Sequence, residues 1–272
     1  MTSMRVTVLG CGGSRGVPVI AQGWGNCDPA NPKNRRLRPS VLVDVMPSGQ
    51  GEEIREDGQG AVSILIDTSP DLRQQLLAAD VHRLDAVLWT HTHADHSHGI
   101  DELRELCRVM HAPIAAHAFP DHLAELKARF GYCFDPLRAG DPYYRPVLDA
   151  QPVVGPFTVR GQPVVPFLQD HGYSKTAGYR IGNFAYSTDV VRLGEDAFAA
   201  LEGVDVWIVD CCRIEPPHPV HAHLDLTLEW IARVKPKRAY LTHMDHTMDY
   251  DTVCRLLPPG VEPAHDGLVI TV

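Results

Sequence analysis

Apolar and polar positions divide this chain into strand-length runs separated by amphipathic stretches of helical period. One group of apolar, β-branched runs covers 4–10, 40–45, 62–68, 85–90 and 113–117. A second covers 157–161, 163–168, 177–182, 184–188, 204–210, 238–243 and 267–272. Gly, Pro, Asp or Asn bounds each run, as expected of strand ends. In 100–110 the apolar residues fall at 100, 103, 106, 107 and 110, one face of a helix with acids in its first turn. Similar patterns predict helices at 70–79, 121–130, 195–202, 226–234 and 250–257. Prolines 136, 142, 146, 152 and 156 make 135–156 read as an irregular connection, and 47–61 reads as a polar loop or hairpin tip. Two strand groups with interspersed helices predict an α/β fold: two packed sheets with helices outside, in one domain over 1–272.

Composition adds limits rather than direction. The 272 residues are 44% hydrophobic and 22% charged, as in ordinary globular chains. No window approaches ~18 uninterrupted apolar residues, so no membrane span is expected. The N-terminus enters a strand pattern without a secretory apolar region, and seven irregularly spaced cysteines read as reduced thiols. Both suggest a cytoplasmic protein. A net charge of −9 gives no general attraction for nucleic acid, so no long nucleic-acid partner is expected. A small phosphate ester stays open to a local site.

Histidine changes the picture, with 15 in all and four of them in His91–His98. His91 and His93 are two apart after an apolar strand, so in an extended segment both rings face one side and can share an ion. Asp95 and His96 follow as the chain turns toward a helix and would face a second position. Such donors suit zinc, manganese or iron. His98 lies outside the spacing and reads as a surface or supporting side chain. His171, Asp189 and His243 each follow an apolar strand in the same way. Asp189 reads either as a carboxylate bridging two ions or as a turn residue. Asp67, ending 62–68, reads as a partner for a ligand histidine or as a strand-end cap. The basic run Lys33, Arg35, Arg36 and Arg38 reads as a phosphate contact or a solvated hairpin, and Arg213 as a substrate contact.

The order His91, His93, Asp95, His96, His171, Asp189, His243 resembles the metallo-β-lactamase superfamily over nearly the whole chain. The resemblance implies a four-layer αββα sandwich with a binuclear site at the edge between its sheets. His91, His93, His171 and Asp189 would hold one divalent ion; Asp95, His96, Asp189 and His243 would hold the other, with zinc or manganese expected. "LGCGGSRGVP" (9–18), "HSHGIDELR" (96–104), "THMDH" (242–246) and "HPVHAHLDL" (218–226) are similar to the phosphodiesterase branch. That branch includes tRNase Z and the PhnP-type phosphoribosyl cyclic phosphodiesterases. The likeness implies hydrolysis of a small, cyclic phosphodiester by a hydroxide shared between the ions, with Asp95 orienting it. The branch's proton-donating histidine falls on His221, with His223 the alternative.

Where PhnP-type members carry a Cys-rich stretch for a structural zinc, this chain has only Cys27, although His246 matches the histidine partner. One thiol and one imidazole do not close a tetrahedral site, so no structural zinc is expected and Cys27 reads as a buried thiol. His246 joins Arg213 and His223 as a candidate substrate contact. A glyoxalase II-type thioesterase, a tRNase Z-like ribonuclease and a non-enzymatic metal or nucleotide sensor share the metal motif and stay open. A nucleotide-like ligand and an oligomer stay open too.

Overall fold

A computed structural model describes residues 3–46, 60–138 and 140–272; the polar tip expected at 47–61 lies almost wholly outside them. The first half holds strands β1 (Ser3–Gly10), β2 (Ser40–Met46), β3 (Val62–Ile66), β4 (Ala86–Leu88), β5 (Ile114–Ala118) and β6 (Leu148–Pro152). Among them lie helices α1 (Leu72–Ala78), α2 (Ala94–Ser97), α3 (Leu103–Met110) and α4 (Pro120–Phe134). The second half opens with β7 (Phe157–Val159), β8 (Gln162–Asp170), β9 (Lys175–Ile181), β10 (Phe184–Ser187) and β11 (Arg192–Leu193). It continues with α5 (Glu195–Leu201), β12 (Val206–Asp210), α6 (Leu224–Val234) and β13 (Arg238–Thr242). It ends with α7 (Tyr250–Leu256), β14 (Val261–Pro263) and β15 (Val269–Thr271).

The described strands form two sheets, ordered β15-β1-β2-β3-β4-β5-β6 and β11-β8-β9-β10-β12-β13-β14, with β7 beside β8. In each sheet an antiparallel meander gives way to parallel strands, from β3 onward in the first and from β10 onward in the second. Parallel pairing needs long crossovers, which here are helices, and this buries both faces of the strands. The period of two is visible in where side chains go. Val41, Val43, Ile64, Ile66, Ala86 and Leu88 enter the core between the sheets. Their neighbours Leu42, Leu65 and Val87 face α1, α3 and α4 on the other side. Each buried Val, Leu or Ile among them contributes about 1.5–3 kcal/mol. The layers run helix, sheet, sheet, helix.

Three expectations need correction. The 135–156 connection contains β6, a parallel edge strand; its sequence LDAQP is too polar to read as apolar, and an edge position accepts Pro152. The run at 267–272 joins the first sheet, not the second, by pairing with β1. The helix expected over 100–110 opens as a 3-10 turn at Ile100–Glu102 before α3 begins. Strands β11 and β14 and the single turn α2 had no pattern long enough to read. Among the described residues no helix is long and apolar enough to cross a membrane.

Candidate metal centre

Strands β3, β4, β8, β10, β12 and β13 all end at one rim. Each leaves a polar residue there: Asp67, Thr90 with His91 just beyond, His171, Asp189, Asp210 and His243. Strand ends of this kind are where parallel sheets carry sites. Asp67, Asp189 and His243 adopt left-handed backbones with φ of 64°, 53° and 60°. Non-glycine residues are costly there, and clustering at one rim is the mark of a site aimed by its framework.

Asp67 organises the loop. Its carboxylate accepts the Thr90 N–H and hydroxyl at 2.8 Å each and His96 Nδ1–H at 2.7 Å. The Thr90 oxygen lies 3.0 Å from His91 Nδ1. His171 Nδ1 donates to the Val220 carbonyl at 2.7 Å. With Nδ1 engaged in each ring, the Nε2 lone pairs of His91, His96 and His171 are left for the rim. Those atoms meet Asp189 at 3.8, 3.0 and 3.6 Å. His243 Nε2 lies 3.3 Å from Asp189 and 3.4 Å from Asp95.

Two donor sets share Asp189, and a third group, Asp210, His221 and His243, lies beside them. His91, His93, His171 and Asp189 bring their ligand atoms within 4.8 Å of one another, and so do Asp95, His96, Asp189 and His243. All are buried except His93. The fit to a cation rests on lone pairs. His91 Nε2 and His96 Nε2 are buried without a hydrogen-bond donor, and they face carboxylate oxygens that are acceptors themselves. Only a cation or a proton satisfies that arrangement. The titration directions say the same. Burial opposes charge on His96, but Asp189, Asp95 and Asp67 override it and hold its pKa well above the ordinary value. His243 behaves alike, with Asp189 overriding burial. Burial would raise Asp189 and Asp95, yet the surrounding imidazoles hold both carboxyls well below the usual range. Burial pushes His91 and His171 down, leaving neutral imidazoles, the form that binds metal. A nitrogen and oxygen donor set of this size suits zinc or manganese.

Beside the two sets stands an Asp–His pair. His221 Nδ1 donates to Asp210 Oδ2 at 3.1 Å, and that oxygen also accepts the Val190 N–H at 2.9 Å. His221 Nε2 therefore points to the rim, 3.8 Å from Asp189 Oδ1, with the ring stacked on His243 at 4.5 Å. Asp210 was not among the expected residues. Its signal was present: the run VWIVD ends in aspartate as SILID does at Asp67. Another unforeseen contact comes from α4, where Glu125 accepts the Thr92 hydroxyl at 2.5 Å and Arg129 donates to the Thr92 carbonyl at 2.5 Å. Residues 33 positions apart gave no local sign of this clamp between His91 and His93.

The remaining candidates separate. His223 is the residue before α6, its backbone bridged to Arg213, and its side chain is not in the cluster. Arg213 and His246 line a cavity of about 140 Å³ that reaches His221 and His243. His98 is exposed and packs edge-on against Phe130. The basic run divides: Lys33 and Arg35 are exposed, while Arg36 and Arg38 are tied into the fold. Lys33 bonds Tyr250, Arg35 lies over Trp24 and Arg38 pairs with Asp71 at 2.8 Å. Arg36, 1% exposed, donates to the carbonyls of Asp245 and Met248. Cys27 is buried, its thiol between the Arg36 guanidinium and the His246 carbonyl.

The family model described as "Beta-lactamase superfamily domain" matches residues 63–244. A solved structure described as a new diphosphatase from the PhnP family is 33% identical, with a TM-score of 0.86 over 100% of this chain and 98% of that one. Zn(2+)-bound PqqB from Methylobacterium extorquens shares the fold at 20% identity, with a TM-score of 0.71 over 98% of this chain and 99% of its own. A curated protein of Porphyromonas gingivalis (strain ATCC BAA-308 / W83) named octanoyltransferase is 31% identical over 268 residues, 97% of this chain. The chain spans about half the length of that relative, 51%. By the extent of the family match and the architecture of its sheets, the chain belongs to the beta-lactamase superfamily and has the metallo-β-lactamase fold.

Proposed function

We propose that the chain is a metal-dependent hydrolase of small phosphodiesters, diphosphates included. One observation carries this reading: Asp189 is common to two buried donor sets, and an Asp210-held His221 points its Nε2 at the same rim. The 33% identical structure described as a PhnP-family diphosphatase supports phosphorus as the atom attacked. Divalent ions held by the two sets supply, when bound, Lewis-acid charge and a more acidic water. The chain's own groups do the rest. Asp67, Thr90 and the Val220 carbonyl hold three imidazoles with Nε2 forward. Asp95 orients the attacking water. As water adds to phosphorus, the P–O ester bond breaks and His221 delivers the proton it holds at Nε2 to the leaving oxygen. Asp210, accepting Nδ1–H, orients the ring and lets it carry the second proton, on Nε2, that does this. From an open diester an alcohol leaves and a phosphate monoester remains; a cyclic diester opens to a hydroxy monoester, and a diphosphate expels a phosphate.

A second reading is hydrolysis of an acyl thioester at the same rim; the name of the curated relative, of which the chain spans about half, contributes only the acyl group to it. Metal-reconstituted protein should be offered bis(p-nitrophenyl) phosphate, a cyclic ribose phosphate, a nucleotide diester, pre-tRNA, a glutathione thioester and a β-lactam. The highest kcat/KM is expected with a small phosphodiester. First rank for the thioester overturns the reading in favour of the second; no turnover by metal-loaded protein overturns it in favour of a sensor.

A further inference from the structure

Helix α4 grips the donor loop from outside. Glu125 and Arg129 lie one turn apart on it and pair with each other, their side chains 45% and 39% exposed. An exposed pair at this spacing contributes little to folding by itself. Yet both side chains turn onto Thr92, which is buried. The Thr92 hydroxyl donates to Glu125 at 2.5 Å, and Arg129 donates to the Thr92 carbonyl at 2.5 Å. That carbonyl and the His93 nitrogen belong to one planar peptide, so fixing the oxygen fixes the backbone from which the His93 side chain departs. The Ser97 hydroxyl completes the hold, 3.1 and 2.9 Å from the Thr92 and His93 carbonyls. His93 depends on this hold more than its neighbours do. Nδ1 of His91, His96 and His171 each has a partner. The His93 ring makes no hydrogen bond among the described residues and meets His91 and His171 edge-on, with centroids 4.4 and 5.3 Å apart. It is also the exposed member of its set. Directly after Arg129, α4 leaves helical geometry at Phe130 (φ −125°, ψ 37°). Beyond that break Phe130 packs edge-on against His98, and the Tyr132 hydroxyl donates to Asp101 at 3.0 Å. The helix thus braces both ends of the segment that carries the donors.

We propose that Glu125 and Arg129 are positioning residues for the metal centre: through Thr92 this surface pair aims His93, and so sets how tightly His91, His93, His171 and Asp189 hold their ion. The inference rests on the binuclear reading of the rim and is independent of the substrate. Neither side chain contacts the donor atoms; both act on the backbone that presents one of them. Groups that orient a ligand from outside are worth about 10–100-fold in metal affinity, because the donor arrives already aimed. The set of Asp95, His96, Asp189 and His243 is anchored elsewhere. His96 Nδ1 donates to Asp67 at 2.7 Å, and the Thr68 N–H donates to the His96 carbonyl at 2.8 Å. Loss of the α4 grip therefore weakens one ion and spares the other. Substitutions at exposed positions ordinarily change little, which makes the expectation a sharp one.

The test is calorimetric titration of metal-free, full-length protein with zinc, and the absorption spectrum of the cobalt(II)-loaded form. In the double variant Glu125→Ala/Arg129→Ala one of two equivalents should bind roughly 10–100-fold more weakly, with the other unchanged. The cobalt bands of that one ion should shift. Thr92→Val, which keeps the shape and loses the hydroxyl, should weaken the same equivalent, and Thr92→Ser should restore it. Glu105→Ala/Arg108→Ala removes an exposed pair of the same kind on α3 and should leave both affinities native. Arg129→Gln alone serves where the double variant fails to fold. Two unchanged affinities, or two weakened alike, overturn the proposal, and a lower Tm with native affinities and cobalt spectrum reduces the pair to a structural contact. Native protein that takes up one equivalent would sink the two-set reading; the positioning role then stands if the double variant weakens that equivalent and falls if it does not.

Discussion

The left-handed backbones at Asp67, Asp189 and His243 cost roughly 1–3 kcal/mol apiece, a strain that persists only where surrounding bonds fix it. At Asp189 those bonds are local: the Thr188 hydroxyl donates to its carboxylate at 2.7 Å and the Thr176 hydroxyl to its carbonyl at 3.0 Å. Because this one carboxylate is common to both donor sets, Asp189→Ala should lower metal content by at least one ion per chain and reduce turnover to background. Elemental analysis that finds both ions retained would sink the two-set arrangement. His221 asks a different question, since it sits beside the sets and is held by Asp210. His221→Ala should keep its metals and lose about 10²–10⁴-fold in rate, most severely with poor leaving groups that need a proton. His223→Ala, at the entry of α6, should not show that dependence on leaving group. If it alone does, the proton comes from the wrong histidine in this scheme.

At the scale of elements, the loop from His91 to His96 is only as fixed as its landing on α1. Gly99 makes that landing: its N–H donates to the Thr68 carbonyl at 2.9 Å, and a Cβ there would meet the Ser69 oxygen at 1.9 Å. Gly99→Ala must therefore push α2 and its ligands away from α1. A lowered Tm and weaker metal binding are expected although no ligand has changed. Gly155→Ala, with nothing within 4 Å of the new Cβ, is the control. Unchanged Tm and metal affinity in Gly99→Ala would show that the loop is not pinned there. The same packing explains what could be read from the chain. Runs such as SVLVDV and VSILID were legible because both faces are buried, so apolar character persists along the strand. The candidate donors were legible because they follow such runs. Strand β6 was not, since an edge strand needs little apolar surface, and the sheet that β15 joins is set by a partner 264 residues away, Arg5 with Thr271 at 266 and Thr7 with Val269 at 262 bracketing it. Local periodicity carries no information at that range.

The whole molecule adds a consequence that neither sheet has alone. His91, His93, Asp95 and His96 come from the end of the first sheet, while His171, Asp189 and His243 come from the second, so every ion held here would join the two. Without a cation, facing acceptors at 3.0–3.8 Å repel across that junction unless protons intervene. An unfolded chain offers no such convergence, so ions should bind the folded state and stabilise it by mass action. At a hundredfold excess over Kd each site contributes about 2.7 kcal/mol, or a rise of roughly 5–10 °C in Tm for a chain of this size. Chelator-treated protein should therefore melt lower and recover on adding zinc or manganese, with two equivalents needed for the full rise. In Asp189→Ala the rise should shrink, because the remaining donors of each set are then held mainly by one sheet or lack the shared oxygen. Metal that binds to two equivalents while leaving Tm unmoved would mean that the ions do not tie the sheets together, whatever chemistry they perform.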